Sequence, residues 1–255
     1  MKVVKVVEKW KIILFGIVSI IILGIVGALI FIYTSFDRAI PVLAYHDVLK
    51  EPKADTDISI EKFEKQIKYL YDNGYKSLSL DEFYDWKNGK DIKGKKVVIT
   101  FDDGRESFYT VVAPILKKYN MKATLFAVGS YLNTSGFLTD DQINTMKEEY
   151  PDLDVEAHSY ALHYEDGARC GDYNIYNEDI KKNVDRNFKY YAYPFGITND
   201  SYQDALEDNE YKLAFLYSPG KWTDRGQDNY TLTRVPVYNS TSFFKFKLKV
   251  LLNIK

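Results

Sequence analysis

A run of 22 residues near the start of the chain, Ile12 to Tyr33, contains no charged side chain. An α-helix rises about 1.5 Å per residue, so about 20 such residues cross the ~30 Å hydrocarbon core of a bilayer. Four lysines precede the run against a single Glu8, and the two charges that follow it cancel. Positive flanks remain on the cytoplasmic side of a membrane. The sequence therefore predicts a single-pass cell-membrane protein with a cytoplasmic N-terminus, an anchor within residues 1–35 and an extracellular domain over residues 36–255.

A cleaved signal peptide is the alternative interpretation of this segment. The apolar region of a signal peptide usually has only about 7–15 residues. In addition, no clear small-x-small cleavage site follows the run. An uncleaved anchor is the favoured prediction.

The charge balance of the exported part indicates which partners to exclude. The chain has 34 basic and 36 acidic residues, a net charge of −2, and the first 35 residues contribute +3, which leaves about −5 for residues 36–255. A nucleic-acid-binding domain normally carries a basic surplus, so we expect no nucleic-acid partner. The single cysteine, Cys170, excludes an internal disulfide and a thiolate zinc cluster. We therefore expect the domain to depend on its apolar core.

Beyond residue 40, short apolar runs alternate with segments of helical periodicity. Strands are predicted at 41–45, 76–80, 97–101, 123–128, 153–157, 190–193, 213–217 and 232–237. Helices are predicted from Phe63 to an Asn73-Gly74 stop, after an Asp81 cap, and at 108–119, 139–149, 178–188 and 200–209. This alternation is typical of a parallel α/β sheet, either open or closed into a barrel.

Residues capable of catalysis or metal binding follow several predicted strands. His46 follows the first strand, Asp102 and Asp103 follow the strand at 97–101, and His158 follows the strand at 153–157, with His163 close behind. Sites in (β/α) barrels are built where the strands end, so we expect these side chains to meet at one rim. Two imidazoles and one carboxylate suit zinc or a similar divalent ion and leave a position open for water. An isolated Asp-Asp-Gly turn with surface histidines is the alternative that this convergence disfavours.

The motifs around these residues resemble those of the polysaccharide deacetylases, carbohydrate esterase family 4 with its NodB-homology domain. Residues 100–104 read T-F-D-D-G, the first motif of the family, and residues 158–163 read H-S-Y-A-L-H, one residue longer than its usual H-[S/T]-x-x-H. The longer spacing and the early Tyr45-His46 pair are similar to the poly-N-acetylglucosamine deacetylases of biofilm systems. The resemblance implies an α/β fold, a distorted (β/α) barrel of the NodB-homology type, over about residues 40–240.

The resemblance also implies a reaction, the hydrolysis of acetamide groups on an N-acetylated polysaccharide by a hydrolase acting on linear amide C–N bonds. The substrate would be an extracellular or cell-wall polysaccharide, with the poly-N-acetylglucosamine type as the expected polymer. One divalent metal ion, with zinc as the expected ion, would be bound by Asp103, His158 and His163. Asp102 would be the catalytic base and His46 the general acid. The backbone N–H of Phe195 would stabilise the oxyanion.

The chain departs from the family pattern at its third motif. Residues 193–196 read Y-P-F-G and lack the arginine usually found two or three residues before the Pro-Phe pair. Arg234 is a candidate to orient Asp102 from another side. The candidate substrate-binding residues are Arg234 and three aromatic residues near the motifs or in a Pro-Gly loop, Tyr160, Tyr164 and Trp222.

Two other functions fit the same sequence. An O-acetyl esterase acting on a cell-wall glycan would use the same metal site. A catalytically inactive glycan-binding or scaffold protein of this fold would explain the missing arginine, although the retained histidines and aspartates disfavour it.

Overall fold

Strands and helices alternate along the chain in the computed structural model, which describes residues 2–217 and 221–252. The strands are β1 Ala39–Ile40, β2 Val42–Tyr45, β3 Val48–Leu49, β4 Ile58–Ser59, β5 Lys76–Ser77, β6 Lys96–Phe101, β7 Ala123–Ala127, β8 Leu153–Ala157, β9 Tyr190–Ala192, β10 Leu213–Phe215, β11 Thr223–Asp224 and β12 Val235–Pro236. The α-helices are α1 Lys2–Arg38, α2 Ile60–Asp72, α3 Leu80–Lys87, α4 Ala113–Lys118, α5 Asp140–Glu149, α6 Glu165–Cys170, α7 Tyr173–Lys181, α8 Asp200–Asp208 and α9 Phe243–Leu251. Short 3₁₀ turns span Gly129–Tyr131, Val184–Arg186 and Pro194–Gly196, and a π turn spans Phe108–Val112.

The central sheet is parallel and strongly curled. Its strand order is β10-β9-β8-β7-β6-β2-β12, and β5 pairs with the first residues of β6. The two edges approach each other at a bridge between Phe215 and Leu232. The predicted distorted (β/α) barrel is therefore confirmed, as a curled sheet that forms most of a barrel. Because the strands are parallel, their carboxyl ends lie along one rim.

The sheet buries apolar side chains on both faces, as parallel sheets do. Inside the curl, Val98, Phe126 and Phe215 pack together, and α3 adds the fully buried Trp86. Outside, helices such as α2 cover the sheet with one apolar stripe that includes Phe63. This packing holds the strand ends in fixed register.

Several element boundaries differ from the predictions, and three of these differences have a clear local cause. The short helix after β5 is capped by Ser79, which forms a capping box with Glu82, so Asp81 is not the cap and β5 ends at Ser77. The predicted helix at 178–188 corresponds to α7, which starts at Tyr173 because Asp172 caps it and ends at Lys181, before the 3₁₀ turn at Val184–Arg186. The predicted helix at 108–119 begins as a π turn before α4.

The N-terminal helix α1 is long and apolar enough to cross a membrane. Its segment Ile13–Ile30 has a mean hydropathy of 3.0, and none of that segment is buried against the rest of the chain. β1 follows Arg38 directly and pairs with β11, and the carbonyl of Arg38 accepts a hydrogen bond from the N–H of Arg225 (3.2 Å). The end of α1 is thus joined to the sheet-containing domain by hydrogen bonds.

Candidate active site

The strand ends bring the predicted catalytic residues to one rim of the curled sheet. In the pairing of β2 with β6, Tyr45 lies opposite Phe101, and the N–H of Asp102 donates to the carbonyl of Tyr45 (3.0 Å). His46 and Asp102 are therefore neighbours across two adjacent strands, whose backbones are about 4.8 Å apart. His158 lies at the end of β8 on the same rim.

Asp103, His158 and His163 form a compact cluster of metal-ligating groups. One donor atom from each residue lies within 4.8 Å of the others. Asp103 Oδ1 is 3.2 Å from His163 Nε2 and 3.8 Å from His158 Nε2. That oxygen is buried and has no hydrogen-bond partner among the described residues. A carboxylate oxygen facing two imidazole nitrogens fits a borderline divalent cation such as zinc.

The surroundings of His158 keep it ready to bind a cation. Its Nδ1 lies 2.7 Å from the carbonyl of Ala192, which fixes Nδ1 as the donor and leaves the Nε2 lone pair facing Asp103. Burial lowers the pKa of His158 to about 4, so the imidazole is neutral at pH 7. Burial by itself raises the pKa of Asp103, but the nearby imidazoles of His163, His46 and His158 outweigh it and hold that pKa below its ordinary value. Both protonation states are those that metal ligation requires.

Asp102 is held by a bidentate ion pair with Arg234. Nη1 of Arg234 donates to Oδ1 of Asp102 and Nη2 donates to Oδ2, each at 2.7 Å. The guanidinium also donates to Thr100 Oγ1 (3.2 Å) and to the carbonyl of Leu216 (3.0 Å). Burial by itself raises the pKa of Asp102, but the charge and hydrogen bonds of Arg234, together with the nearby His158 and His46, outweigh burial and lower that pKa. The structure thus contains the predicted contact by which Arg234 orients Asp102. The prediction that Arg234 contacts the substrate is wrong, because its side chain is 0% exposed.

Three residues beside the site have left-handed backbone conformations that are unusual for non-glycine residues. These are Asp103 (φ 78°), Ser159 (φ 68°) and Phe195 (φ 56°). Each such conformation costs about 1–3 kcal/mol and persists only where the surrounding structure imposes it. After Phe195, Gly196 also has a positive φ, and a Cβ there would lie 2.5 Å from the backbone nitrogen of Tyr217. Only glycine allows this close approach, which fixes the position of Phe195.

His46 lies on the rim next to Tyr217. The two rings meet edge to face with their centroids 5.2 Å apart, and His46 Nδ1 is buried without a hydrogen-bond partner in the part of the chain that the structure describes. Tyr217 is a site residue that the sequence analysis missed. It ends the predicted strand at 213–217, so the rule that sites lie at strand ends could have identified it.

The aromatic substrate-binding candidates differ in their exposure. The Trp222 prediction is wrong, because this side chain is 2% exposed, packs in the core and donates its Nε1–H to the carbonyl of Lys249 (2.8 Å). The Ser-Pro-Gly segment before it, 218–220, lies outside the described residues. Tyr164 is 54% exposed, and Tyr160 is half-buried with its ring 5.6 Å from Lys182 Nζ. Tyr164 and Tyr160 remain predictions.

The rim of the curled parallel sheet carries an Asp-His-His cluster and a second aspartate held by an arginine. This arrangement agrees with the expectation from the motifs of a (β/α) hydrolase. The solved structure of the Streptococcus pyogenes deacetylase PplD, in complex with acetate, has the same fold, with a TM-score of 0.74. The alignment has 24% sequence identity and covers 84% of this chain and 98% of that structure.

The family model for polysaccharide deacetylases matches residues 89–214. The chain is 32% identical over 216 residues to YxkH of Bacillus subtilis, a protein assigned by its name to the polysaccharide deacetylases, with 81% of this chain and 74% of that protein covered. It is 28% identical over 228 residues to the poly-beta-1,6-N-acetyl-D-glucosamine N-deacetylase of Staphylococcus epidermidis, with 77% and 78% covered. The chain therefore belongs to the polysaccharide deacetylase family, hydrolases of the carbohydrate esterase family 4 type.

Proposed function

We propose that this polysaccharide deacetylase removes N-acetyl groups from an extracellular polymer of the poly-N-acetylglucosamine type, using one divalent ion. The observation that carries the proposal is the position of the Asp103, His158 and His163 cluster beside the Asp102–Arg234 pair. The similarity to the Staphylococcus epidermidis enzyme supports the choice of polymer.

Asp103, His158 and His163 would hold the ion, and zinc fits their mixed nitrogen and oxygen donors. A bound divalent ion would supply a Lewis acid that polarises the acetamide carbonyl and lowers the pKa of a water molecule.

The protein's own groups carry out the proton transfers and stabilise the developing negative charge. Asp102 accepts a proton from the attacking water, and Arg234 fixes the direction of its two oxygens. The N–H of Phe195 donates to the oxygen on which negative charge develops. His46 gives a proton to the departing nitrogen as the C–N bond breaks, a step that suits an imidazole near neutral pH. The products are acetate and a free amine on the sugar.

The test is acetate release by the full chain in detergent, with a chelator and after Zn²⁺ is restored. We expect release from a poly-N-acetylglucosamine oligomer, its loss with the chelator and its return with Zn²⁺. Asp102→Asn should lower kcat by at least about 100-fold, the lower range for general base catalysis. Asp140→Asn is the matched control, because Asp140 belongs to an exposed ion pair with Arg186.

The outcomes separate this proposal from the alternatives. Release from an acetylated xylan, but not from the amide-linked oligomer, would identify an O-acetyl esterase. Failure to bind Zn²⁺ or any other divalent ion would identify a scaffold protein. Unchanged turnover by Asp102→Asn would remove its role as the base.

We further propose that residues 1–35 anchor the protein and that residues 36–255 act outside the cell. The hydropathy of Ile13–Ile30 and the lysines before it support this topology. Protease added to intact cells should digest the domain that follows α1 and leave the N-terminus protected. Recovery of a mature chain that begins after α1 would show cleavage instead.

A further inference from the structure

The segment between the two histidine ligands is held by a buried carboxylate on another element. Asp179, on α7, is 4% exposed. Its Oδ2 accepts the N–H of Tyr160 and its Oδ1 accepts the N–H of Ala161, each at 2.8 Å. Each oxygen of this one carboxylate therefore binds one of two consecutive amides, midway between His158 and His163.

The other side of the same segment is bound to the turn that follows β7. The N–H of Gly129 donates to the carbonyl of Ser159 (3.0 Å), and the N–H of Ser130 donates to the carbonyl of Tyr160 (2.8 Å). These contacts surround Ser159, whose φ of 68° turns the chain sharply after His158. Hydrogen bonds on both sides thus fix the path of the chain from one histidine to the next.

The helix that carries Asp179 is itself firmly placed. Asp172 caps its first turn by accepting the N–H of Ile175 (3.0 Å). Tyr176 is fully buried and stacks on Tyr202 of α8, with ring centroids 3.9 Å apart. Ile180, the residue after Asp179, is also buried. Asp179 can therefore transmit the position of α7 to the segment between the ligands.

We propose that Asp179 is a positioning residue that sets the separation of His158 and His163 by binding the backbone between them. The inference rests on the proposed metal site. It goes beyond the ligand set, because Asp179 contacts neither imidazole and acts through the intervening amides. The four-residue spacer is one residue longer than the usual family motif, and a longer spacer has more conformations to restrict.

The test compares Zn²⁺ affinity among folded variants of the full chain in detergent. Each variant is first stripped with a chelator, and a chromophoric chelator then competes for Zn²⁺. Asp179→Ala removes both acceptors and should weaken Zn²⁺ binding by about 10- to 100-fold, as removal of supporting groups does at other metal sites. Asp179→Asn keeps one acceptor but turns an amide donor toward the other N–H, so about 10-fold weaker binding is expected.

Asp172→Asn is the matched control, because it also removes a carboxylate, at the N-cap of α7. Asparagine caps a helix as well as aspartate does, so this variant should bind Zn²⁺ like the wild type. Affinity is compared only while the proteins are folded, so a loss of stability alone would not change it. A Co²⁺ absorption spectrum altered in the Asp179 variants, but not in Asp172→Asn, would support the positioning role.

Wild-type affinity in both Asp179 variants would overturn the inference while leaving the proposed function intact. If Asp179→Ala does not fold, Asp179→Asn decides the question. Absence of Zn²⁺ binding by the wild type would overturn the proposed metal site and this inference with it.

Discussion

The ion pair between Arg234 and Asp102 allows a sharp prediction, because both side chains are almost completely buried. Their exposed fractions are 0% and 2%. Arg234→Met keeps much of the side-chain volume but removes every guanidinium hydrogen bond, which leaves the Asp102 carboxylate charged and without its cationic partner. Breaking a buried ion pair at one partner typically costs about 3–5 kcal/mol. We therefore expect Arg234→Met to lower the free energy of unfolding by that amount at pH 7.

A surface pair in the same molecule provides the comparison. Arg186 and Asp140 lie 2.8 Å apart, close to the 2.7 Å of the buried pair, but their side chains are 30% and 50% exposed. Exposed ion pairs contribute about 0–1 kcal/mol, so Arg186→Met should change the free energy of unfolding by no more than about 1 kcal/mol. The same substitution is thus expected to have very different costs in two ion pairs whose N–O distances differ by only about 0.1 Å.

Urea unfolding in detergent with a chelator measures both effects, and the fluorescence of the buried Trp86 and Trp222 reports the transition. The double variant Arg234→Met/Asp102→Asn also removes the unpaired charge of Asp102. Its free energy of unfolding should therefore be at least about 2 kcal/mol higher than that of Arg234→Met alone. Free energies of unfolding for Arg234→Met and Arg186→Met that agree within about 1 kcal/mol would contradict this prediction. So would a double variant that is no more stable than Arg234→Met.

Three further predictions concern the rim and the barrel interior. Burial raises the pKa of Glu156 from 4.5 to about 8, so the folded state retains a proton that the unfolded state loses. The contribution of Glu156 to the free energy of unfolding should then fall by up to about 5 kcal/mol as the pH rises from 4.5 to about 8. Urea unfolding with a chelator should show that Glu156→Gln lacks this decline, and parallel curves for the two proteins would contradict the prediction. Gly196→Ala should lower kcat and destabilise the fold by at least about 1 kcal/mol, whereas Gly136→Ala should not lower kcat, because Gly136 has a positive φ but nothing within 4 Å of its would-be Cβ. Equal activity of these two variants would argue against the close approach to Tyr217. His46→Gln should lower kcat for deacetylation about 100-fold or more and leave Zn²⁺ affinity within a few-fold of the wild type, and an unchanged rate would assign the acid role elsewhere.

The predictions that succeeded depended on short-range patterns. Alternating apolar runs predicted the parallel sheet, and the rule that sites lie at strand ends predicted that Asp103, His158 and His163 would meet. These patterns are sufficient because parallel strands in one sheet must end on one rim. The predicted start of α7 is too late, because the only local signal for the true start is the single capping residue Asp172.

The predictions that failed depended on contacts between distant segments. Trp222 lies near a Pro-Gly sequence, which suggested a surface loop, but its ring packs against the core and its Nε1–H binds the carbonyl of Lys249, 27 residues later. The prediction that Arg234 contacts the substrate failed because the fold buries its side chain against Asp102, which lies 132 residues earlier in the chain. No periodicity within either segment contains this information.

The different roles proposed for Asp102 and Asp103 follow from one backbone angle. Side chains of consecutive residues in an extended strand point to opposite faces, so continued strand geometry after β6 would turn one of the two carboxylates away from the barrel interior. The φ of 78° at Asp103 ends the strand and turns the chain. Asp102 therefore faces Arg234 inside the curl, while Asp103 faces His158 and His163 above it. The residue next to the proposed base is thus placed as a proposed metal ligand. The strained backbone at Asp103 is required for two consecutive residues to serve both the Asp102–Arg234 pair and the histidine cluster.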